Sequence, residues 1–213
     1  MCECLRELCR QEQKKELTFL NVGRESFEQF RLDYYPDRED PKFGVNIRTI
    51  MEKTFQTCRR YAQNFSERSA NLLFSGDTGL GKTFLSACIA RTVADNGYSV
   101  MYESAGHLVG NLERAKFTSD EQARKEADKY TACDLLIVDD LGTEMPGQFT
   151  TTALYTLVND RLLSGKPTII STNLTIEEFE KRYNRQIASR LRGSYTRIPF
   201  MGEDIRVMKN RGM

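Results

Sequence analysis

The sequence predicts an α/β fold in which helices flank a parallel sheet of five strands. Five short apolar runs alternate with longer stretches of helical character, and each run is continuous rather than alternately apolar and polar. Continuous apolar strands separated by helices are typical of parallel sheets that are covered on both faces. The five runs span residues 72–75, 100–103, 135–138, 168–171 and 197–200.

The first element of this pattern is an amphipathic helix. Apolar residues recur at helical spacing between residues 46 and 65, which predicts a helix with one buried face. The turn-rich stretch PDREDP precedes it at residues 36–41 and indicates a boundary. We therefore expect an N-terminal extension or linker over residues 1–43 and a single domain over residues 44–213.

Several later elements are marked by single residues. Gly97 and Gly165 follow helical stretches and suit the left-handed conformation that ends a helix. Pro199 lies in the last strand. Because proline has no N–H to donate, it predicts that this strand is at an edge of the sheet. Two pairs have the spacing of a capping box, Ser119 with Gln122 and Thr175 with Glu178.

The composition is that of an ordinary globular protein. Hydrophobic residues make up 39% of the chain and charged residues 29%, which excludes a disordered chain. No apolar run approaches the roughly 18 residues of a membrane span. The first residues, MCECLRELCR, lack the apolar stretch of a signal peptide. We expect a cytoplasmic protein with no membrane partner.

Charge is unevenly distributed along the chain. Residues 181–213 contain nine Lys or Arg and two acids, a net charge of +7, whereas the other residues contain 22 basic and 28 acidic side chains, a net charge of −6. A basic end on an acidic body suggests that a polyanion, either nucleic acid or nucleotide phosphate, binds near that end. A solvated basic surface explains the charge alone equally well.

The six cysteines fall into two groups. Cys58, Cys88 and Cys133 lie among apolar residues and are expected to be small buried side chains in a reducing compartment. The other three crowd the N-terminus, but a closed zinc site needs four ligands and no CxxC half is present. These three are Cys2, Cys4 and Cys9.

The strongest motif is GDTGLGKT at residues 76–83. It matches the phosphate-binding loop G-x-x-x-x-G-K-[ST], and it lies between an apolar strand and a helix, as that loop requires. Glycines let backbone N–H groups face phosphate oxygens, and the lysine, here Lys82, reaches the β- and γ-phosphates. The residues expected to bind the nucleotide are Gly76, Asp77, Thr78, Gly79, Leu80, Gly81, Lys82, Thr83 and Phe84.

Polar side chains after two later strands complete a predicted hydrolytic site. Asp139 and Asp140 follow the third apolar run, at the edge of the sheet where ligands bind in open α/β folds. Asp139 and Thr83 are the expected ligands of Mg²⁺, and Asp140 is expected to polarise the attacking water. Asn173 follows the fourth run and suits a contact with that water or with the γ-phosphate, although asparagine is also common in turns.

Taken together, these motifs resemble those of AAA+ ATPases and, within them, the bacterial replicative-helicase loaders of the DnaC/DnaI type. The resemblance covers about residues 25–206 and rests on five blocks in one order: ESFEQFRLDYY, NLLFSGDTGLGKTFLSACIA, CDLLIVDDLGTE, TIISTNLTIEEFEKRY and SRLRGSYTRIPFMGEDIR. It implies a P-loop fold with little or no C-terminal lid domain, ATP and Mg²⁺ as cofactors, and slow, assembly-dependent hydrolysis. Asn173 resembles the sensor-1 residue of such proteins.

The resemblance also implies roles for two arginines. Arg190 matches the arginine finger that reaches the ATP of a neighbouring subunit, which implies self-association. Arg206 is a weaker match to a sensor-2-like phosphate contact. The simpler explanation for both is a surface arginine in a basic segment.

The stretch before Asp134 resembles an inserted helical region that helps initiators and loaders to bind single-stranded DNA. Basic side chains there would neutralise backbone phosphates. The interleaved acids fit a solvated helix with internal ion pairs equally well. The basic residues are Arg114, Lys116, Arg124, Lys125 and Lys129.

The chain departs from the resembled family in two respects. Asp140 stands where many AAA+ proteins carry glutamate, and this shorter side chain is expected to favour ATP binding over turnover. The segment CECL resembles the last part of a cysteine module that precedes the ATPase domain in related loaders. We therefore expect residues 1–43 to hold a remnant of that module without zinc, and the domain that binds the replicative helicase to be missing.

Other functions remain open beside the helicase loader. A transposase helper of the IstB type shares almost all of these blocks, and preference for duplex DNA would favour it. A nucleotide switch would bind ATP but scarcely hydrolyse it, and a metabolic kinase would need an acceptor pocket that no sequence feature supplies. The nucleotide base has no assigned pocket. Phe30, Tyr34 or Tyr35 could stack on it, unless they are core residues.

Overall fold

The computed structural model describes residues 25–210, and five parallel strands form one sheet within them. The strands are β1 (Asn71–Ser75), β2 (Val100–Ser104), β3 (Leu135–Leu141), β4 (Thr168–Thr172) and β5 (Tyr195–Pro199). Their order is β2-β3-β4-β1-β5, so β1 lies between β4 and β5. This arrangement confirms the predicted parallel sheet.

The last strand is at an edge of the sheet, as Pro199 predicted, because β5 pairs with β1 alone. Its predicted start at residue 197 was wrong. Pairing with β1 already begins at Asn71 and Tyr195, and β3 likewise continues beyond its predicted end to Leu141. Ladder bonds from neighbouring strands extend both elements past their apolar runs.

Helices connect the strands in the predicted alternation. Within residues 25–210 they are α1 (Ile47–Gln63), α2 (Lys82–Asp95), α3 (Ala105–Phe117), α4 (Glu121–Ala132), α5 (Gln148–Leu163), α6 (Ile176–Arg182), α7 (Arg185–Ser194) and α8 (Ile205–Asn210). Two short 3₁₀ turns, Phe27–Gln29 and Leu32–Tyr34, precede α1. No helix of this part of the chain is long and apolar enough to span a membrane.

Most of the predicted helix ends are confirmed. Gly97 and Gly165 follow α2 and α5 with φ of 90° and 67°, and Thr175 and Glu178 form the capping box of α6.

The predicted capping box of Ser119 with Gln122 was wrong. Asp120 caps α4 instead, and its carboxylate accepts hydrogen bonds from the backbone N–H of Gln122 at 2.9 Å and of Ala123 at 3.2 Å. The ionised carboxylate of Asp120 accepts hydrogen bonds from these N–H groups more strongly than the hydroxyl of Ser119 would.

The sheet separates two apolar layers. Leu72 and Phe74 of β1 face a layer that contains Met51 of α1 and the apolar side of α2. Leu73 faces the opposite layer, which includes Leu154 of α5 and apolar residues of α3, α4, α6 and α7. Neighbouring residues of a strand point to opposite faces, so both faces of β1 are buried and its end is held in place.

The three cysteines of the predicted apolar group are buried. Cys58, Cys88 and Cys133 are free thiols inside the two layers, and burial raises the pKa of each. The N-terminal group lies outside the described residues. Within residues 25–210, no three His, Cys, Asp or Glu side chains form a group that could hold a metal ion.

Arg161 of α5 is buried against backbone carbonyls. Its Nη1 donates to the carbonyl oxygens of Tyr130 at 2.7 Å and Cys133 at 3.2 Å, and its Nη2 donates to that of Pro167 at 2.6 Å. Its Nε donates to the hydroxyl of Thr168 at 2.8 Å. Burial lowers the pKa of the guanidinium, and the neighbouring Cys133 acts in the opposite direction. Arg161 therefore joins α4, α5 and β4.

Replacing Arg161 with methionine should lower the free energy of unfolding by about 3 kcal/mol or more, because each buried carbonyl left without a donor costs roughly 1–3 kcal/mol. Urea unfolding followed by circular dichroism measures the effect. Arg192, which is exposed and paired with Glu180, is the control. Arg192→Met should cost at most about 1 kcal/mol, and equal losses would contradict the role assigned to Arg161.

Candidate functional site

The loop between β1 and α2 contains three glycines with a positive φ, and at two of them a side chain would collide with the segment after β5. Gly76 and Gly79 have φ of 150° and 75°. A Cβ at Gly76 would lie 2.2 Å from the carbonyl oxygen of Phe200, and one at Gly79 would lie 2.0 Å from a carboxylate oxygen of Asp204. Glycine tolerates both the dihedral angle and the close approach. The segment that follows β5 is therefore packed directly against this loop.

Lys82 begins α2 and points back into the loop. Its Nζ donates to the carbonyl oxygens of Gly76 at 2.7 Å and Asp77 at 2.6 Å, and the residue is only 5% exposed. Burial lowers the pKa of the ammonium, whereas the charges of Asp140 and Asp139 act in the opposite direction. A cation held by neutral carbonyls keeps its charge available for an anionic ligand.

Asp139 of β3 is buried between hydroxyl groups from both neighbouring strands. Its Oδ2 accepts a hydrogen bond from Tyr102 of β2 at 2.8 Å, and its Oδ1 accepts one from Ser171 of β4. Each carboxylate oxygen has a further lone pair, and the exposed Thr83 adds a hydroxyl at the mouth of the loop. This set of oxygen donors fits Mg²⁺, which binds one or two protein groups together with phosphates and water.

Asp140 occupies a bulge at the end of β3. The register with β4 shifts between Val138 and Leu141, and Asp140 has a φ of 54°, a left-handed conformation that aspartate tolerates better than most residues. Its N–H donates to the Ser171 hydroxyl at 2.9 Å. Partial burial and the charge of Asp139 raise the pKa of the Asp140 carboxyl, which makes the carboxylate a stronger proton acceptor.

A cavity of about 370 Å³ opens beside the loop. The loop and Asp140 form one side of it, and both ends of the described chain form the other. This opposite wall includes Phe30, Tyr34, Ile205, Arg206 and Lys209. Ile205 and Lys209 were not predicted. They lie in the segment after β5, and the pairing of β5 with β1 brings that segment to the loop.

The three aromatic candidates for the nucleotide base have different positions. Tyr35 is fully buried, and its hydroxyl donates to the carbonyl oxygen of Leu80 at 2.9 Å, so it supports the loop as a core residue. Phe30 stacks on Tyr35 with ring centroids 5.6 Å apart. Tyr34 has the Nζ of Lys209 5.3 Å from its ring centroid. Phe30 and Tyr34 are half-buried and line the cavity, and Phe30 also stacks on Phe55 with ring centroids 4.9 Å apart.

The other two predicted residues lie at the rim of the site or away from it. Asn173 directly follows β4, at the same edge of the sheet as Asp139, and is exposed. Arg190 is on α7, on the opposite face of the sheet from α2, and is not among the residues that line the cavity. Its guanidinium carbon lies 4.4 Å from the ring centroid of Tyr155, and Nη2 donates to Asn159 at 2.8 Å.

The helices α3 and α4 carry the predicted basic insertion. Lys129 pairs with Glu126 at 3.0 Å, which is one of the internal ion pairs expected of a solvated helix. Phe117, which was not predicted, is 67% exposed. Its ring centroid lies 5.4 Å from that of Phe149, and the Nζ of Lys116 lies 6.0 Å from the Phe149 centroid. Phe117 of α3 and Phe149 of α5 therefore form an aromatic pair beside Lys116.

Comparison with known proteins places the chain among ATP-binding proteins. The sequence model of the family described as "IstB-like ATP binding protein" matches residues 41–191, more than half of the chain. The replicative helicase loader DnaC of Escherichia coli (strain K12) is 28% identical over 137 residues, which cover 63% of this chain and 55% of that protein. The chain thus spans about half the length of this relative.

Two further proteins resemble the chain. The insertion sequence IS232 putative ATP-binding protein of Bacillus thuringiensis subsp. berliner is 26% identical over 148 residues, which cover 67% of this chain and 58% of that protein. The crystal structure of DnaI aligns with a TM-score of 0.68 at 19% identity, covering 85% of this chain and 94% of that one. The structural likeness identifies the fold as that of AAA+ P-loop ATPases.

Replacing Lys82 with alanine should weaken binding of MgATP at least about 30-fold, because loss of a buried charge partner costs roughly 2 kcal/mol or more. Isothermal titration calorimetry measures the affinity. Lys53→Ala is the control, since Lys53 is exposed on α1, and it should bind as the wild type does. Wild-type affinity of Lys82→Ala would show that this lysine does not contact the phosphates.

Proposed function

Because the chain belongs to the IstB-like ATP-binding protein family, we propose that it is an ATPase that helps to load a replicative helicase onto single-stranded DNA. The observation that carries the proposal is the convergence of the glycine loop, Asp140 and a 370 Å³ cavity at one edge of the sheet. The name of the Escherichia coli relative supports helicase loading as the process that this site drives.

In this mechanism, the cavity holds ATP with its phosphates on the loop. Lys82 exchanges its two carbonyl partners for β- and γ-phosphate oxygens. Thr83 and Asp139 would hold Mg²⁺, which would neutralise charge on the phosphates. Asp140 accepts the proton of the attacking water, and Asn173 orients that water. The hydroxyls that hold Asp139 keep its carboxylate in place throughout.

Arg190 acts on ATP bound by a neighbouring copy of the chain. Two observations support this assignment: Arg190 lies away from its own cavity, and Asn159 and Tyr155 fix its Nε and Nη2. Its Nη1 makes only a long contact of 3.4 Å with the carbonyl oxygen of Gln186 and is available to a phosphate. Hydrolysis then depends on assembly, and an isolated subunit turns over ATP slowly.

Mixing two inactive variants tests this assembly. Arg190→Ala should lower the rate of ATP hydrolysis about a thousandfold. Lys82→Ala should also be inactive, because it binds MgATP at least about 30-fold more weakly and lacks the charge that stabilises the transferred phosphate. An equal mixture should recover part of the wild-type rate, since the Lys82→Ala subunit supplies an arginine to ATP on its neighbour. Phosphate release, measured at a protein concentration that supports assembly, gives the rates of the two variants and of their mixture.

Arg192→Ala is the control for the mixing experiment, because Arg192 lies on the same helix and is paired with Glu180. It should hydrolyse ATP at the wild-type rate. Failure of the mixture to recover activity would contradict action on a neighbouring subunit. Negligible hydrolysis by the wild type would favour the nucleotide switch instead.

Single-stranded DNA binds to the surface formed by α3, α4 and the start of α5. Phe117 and Phe149 supply aromatic faces on which bases stack, and Lys116 lies beside them. Stacking with neighbouring cations is the usual means of binding single strands without sequence preference. All five basic residues of this insertion are proposed to contact the DNA backbone: Arg114, Lys116, Arg124, Lys125 and Lys129.

Replacing Phe117 with alanine should weaken binding to a single-stranded oligonucleotide about fivefold or more, because stacking on one ring contributes roughly 1–3 kcal/mol per base. Fluorescence anisotropy with ATP at a fixed salt concentration measures it, since salt alone changes the affinity. Phe43 is also exposed but lies outside the insertion, so Phe43→Ala should bind normally. Equal losses in both variants would exclude a specific stacking role.

A helper of DNA transposition is the second candidate, because the matching family is IstB-like and one relative belongs to an insertion sequence. It would bind ATP at the same site but act on duplex DNA instead of single-stranded DNA. The anisotropy experiment distinguishes the two candidates when a duplex of the same length is included. Tighter ATP-dependent binding to the duplex than to the single strand would favour the transposition helper.

A further inference from the structure

Asp204 places a carboxylate beside the phosphate loop. Its Oδ1 lies 2.0 Å from the position of a Cβ on Gly79, and the N–H of Ile205 donates to the carbonyl oxygen of Gly79 at 3.0 Å. The side chain of Asp204 is only 29% exposed. A negative charge at this point opposes the binding of a phosphate on the same loop.

The same carboxylate holds Arg206 through two hydrogen bonds. Nε of Arg206 lies 3.2 Å from Oδ1 of Asp204, and Nη2 lies 3.1 Å from Oδ2. This two-pronged contact is the one that arginine makes with a phosphate. Arg206 also lines the cavity with Lys82 and Asp140. Asp204 therefore accepts hydrogen bonds from the guanidinium N–H groups that would otherwise be free to bind a phosphate.

We propose that Asp204 is a positioning residue that holds Arg206 in the nucleotide-free site and competes with nucleotide phosphates for it. The inference rests on the proposed function, since it requires that ATP occupies the cavity and that Arg206 contacts it. On binding, the guanidinium leaves Asp204 for a phosphate oxygen. No covalent step is involved.

The exchange makes the affinity of the site depend on the charge of its ligand. ATP carries more negative charge than ADP and draws Arg206 from Asp204 more completely, so ATP bears more of the cost of breaking the pair. The side chain of Arg206 is 71% exposed, and an exposed ion pair is weak. The pair is therefore easily broken, and Asp204 adjusts the affinity without blocking the site.

Asp204 also caps α8, and this role must be separated from its charge. Its Oδ1 accepts a hydrogen bond from the backbone N–H of Arg206 at 2.9 Å. Asparagine caps helices about as well as aspartate does. Asp204→Asn therefore removes the charge, retains the cap and leaves the size of the side chain unchanged.

The experiment measures binding of MgATP and MgADP by isothermal titration calorimetry to the wild type, Asp204→Asn, Arg206→Ala and the double variant. Asp204→Asn should bind ATP about three- to fivefold more tightly, the range expected for an exposed ion pair. The gain should be smaller for ADP and should decrease at high salt. In the Arg206→Ala background, Asp204→Asn should bring no gain.

Glu203→Gln is the matched control. Glu203 adjoins Asp204 in sequence but pairs with Arg38 at 2.8 Å, so the same change of charge there should leave both affinities unchanged. Urea unfolding should give a midpoint only slightly lower for Asp204→Asn than for the wild type, because a weak ion pair is lost but the cap is retained.

Each remaining result overturns the inference in a different way. Unchanged or weaker ATP binding by Asp204→Asn would show that the carboxylate does not compete for Arg206. If Asp204→Asn raised the ATP affinity equally in the Arg206→Ala background, Asp204 would act only by repelling the phosphates and not through Arg206. Failure of the wild type to bind either nucleotide would overturn the proposed function itself. If the wild type binds nucleotide but the variants have the same affinities, only the inference is overturned.

Discussion

The parallel pairing of β1 with β4 and β5 is the constraint on which the site depends. Ser75, the last residue of β1, is level with Thr172 of β4 and Pro199 of β5. Parallel strands end at the same edge of a sheet, so the loop after β1 begins where both neighbours end. This register brings Phe200 against Gly76, and a slip by one residue would turn the side chains of β1 to the wrong face.

A second consequence of the sheet is the fixed orientation of the acidic pair. Ser171 donates its hydroxyl hydrogen to Asp139 and accepts the N–H of Asp140 with its oxygen, while Tyr102 holds the other oxygen of Asp139. Three strands thus hold one carboxylate in place and direct the next toward the cavity. The left-handed Asp140 is the strained point of this arrangement, and such strain is concentrated at functional sites.

The cavity itself is made by two segments that are distant in sequence. Tyr35 from the N-terminal side donates to Leu80 in the loop, and Ile205 from the C-terminal side donates to Gly79. The 43/44 domain boundary stays a prediction, but Phe27 and Tyr35 lie in the same apolar layer as α1 and α2. The loop therefore takes its shape from contacts on both sides as well as from its glycines.

Much of the fold and part of the site follow from the sequence alone. Continuous apolar runs identify the central strands β1, β3 and β4 because burial on both faces favours apolar residues, and the motif at residues 76–83 identifies the loop because its backbone needs glycine at defined points. Asp139 and Asp140 could be found because they directly follow the apolar run of β3. These are local signals, and each is complete within a few residues.

Tertiary structure alone decided which distant residues meet at the loop. The spacing of residues along the chain does not show that Asp204 and Lys209 lie beside the loop, because the pairing of β5 with β1 determines their position. The exposure of Phe117 likewise depends on how α3 packs against α5. Periodicity along one segment describes which face is buried, but the neighbours of that face depend on contacts between segments far apart in sequence.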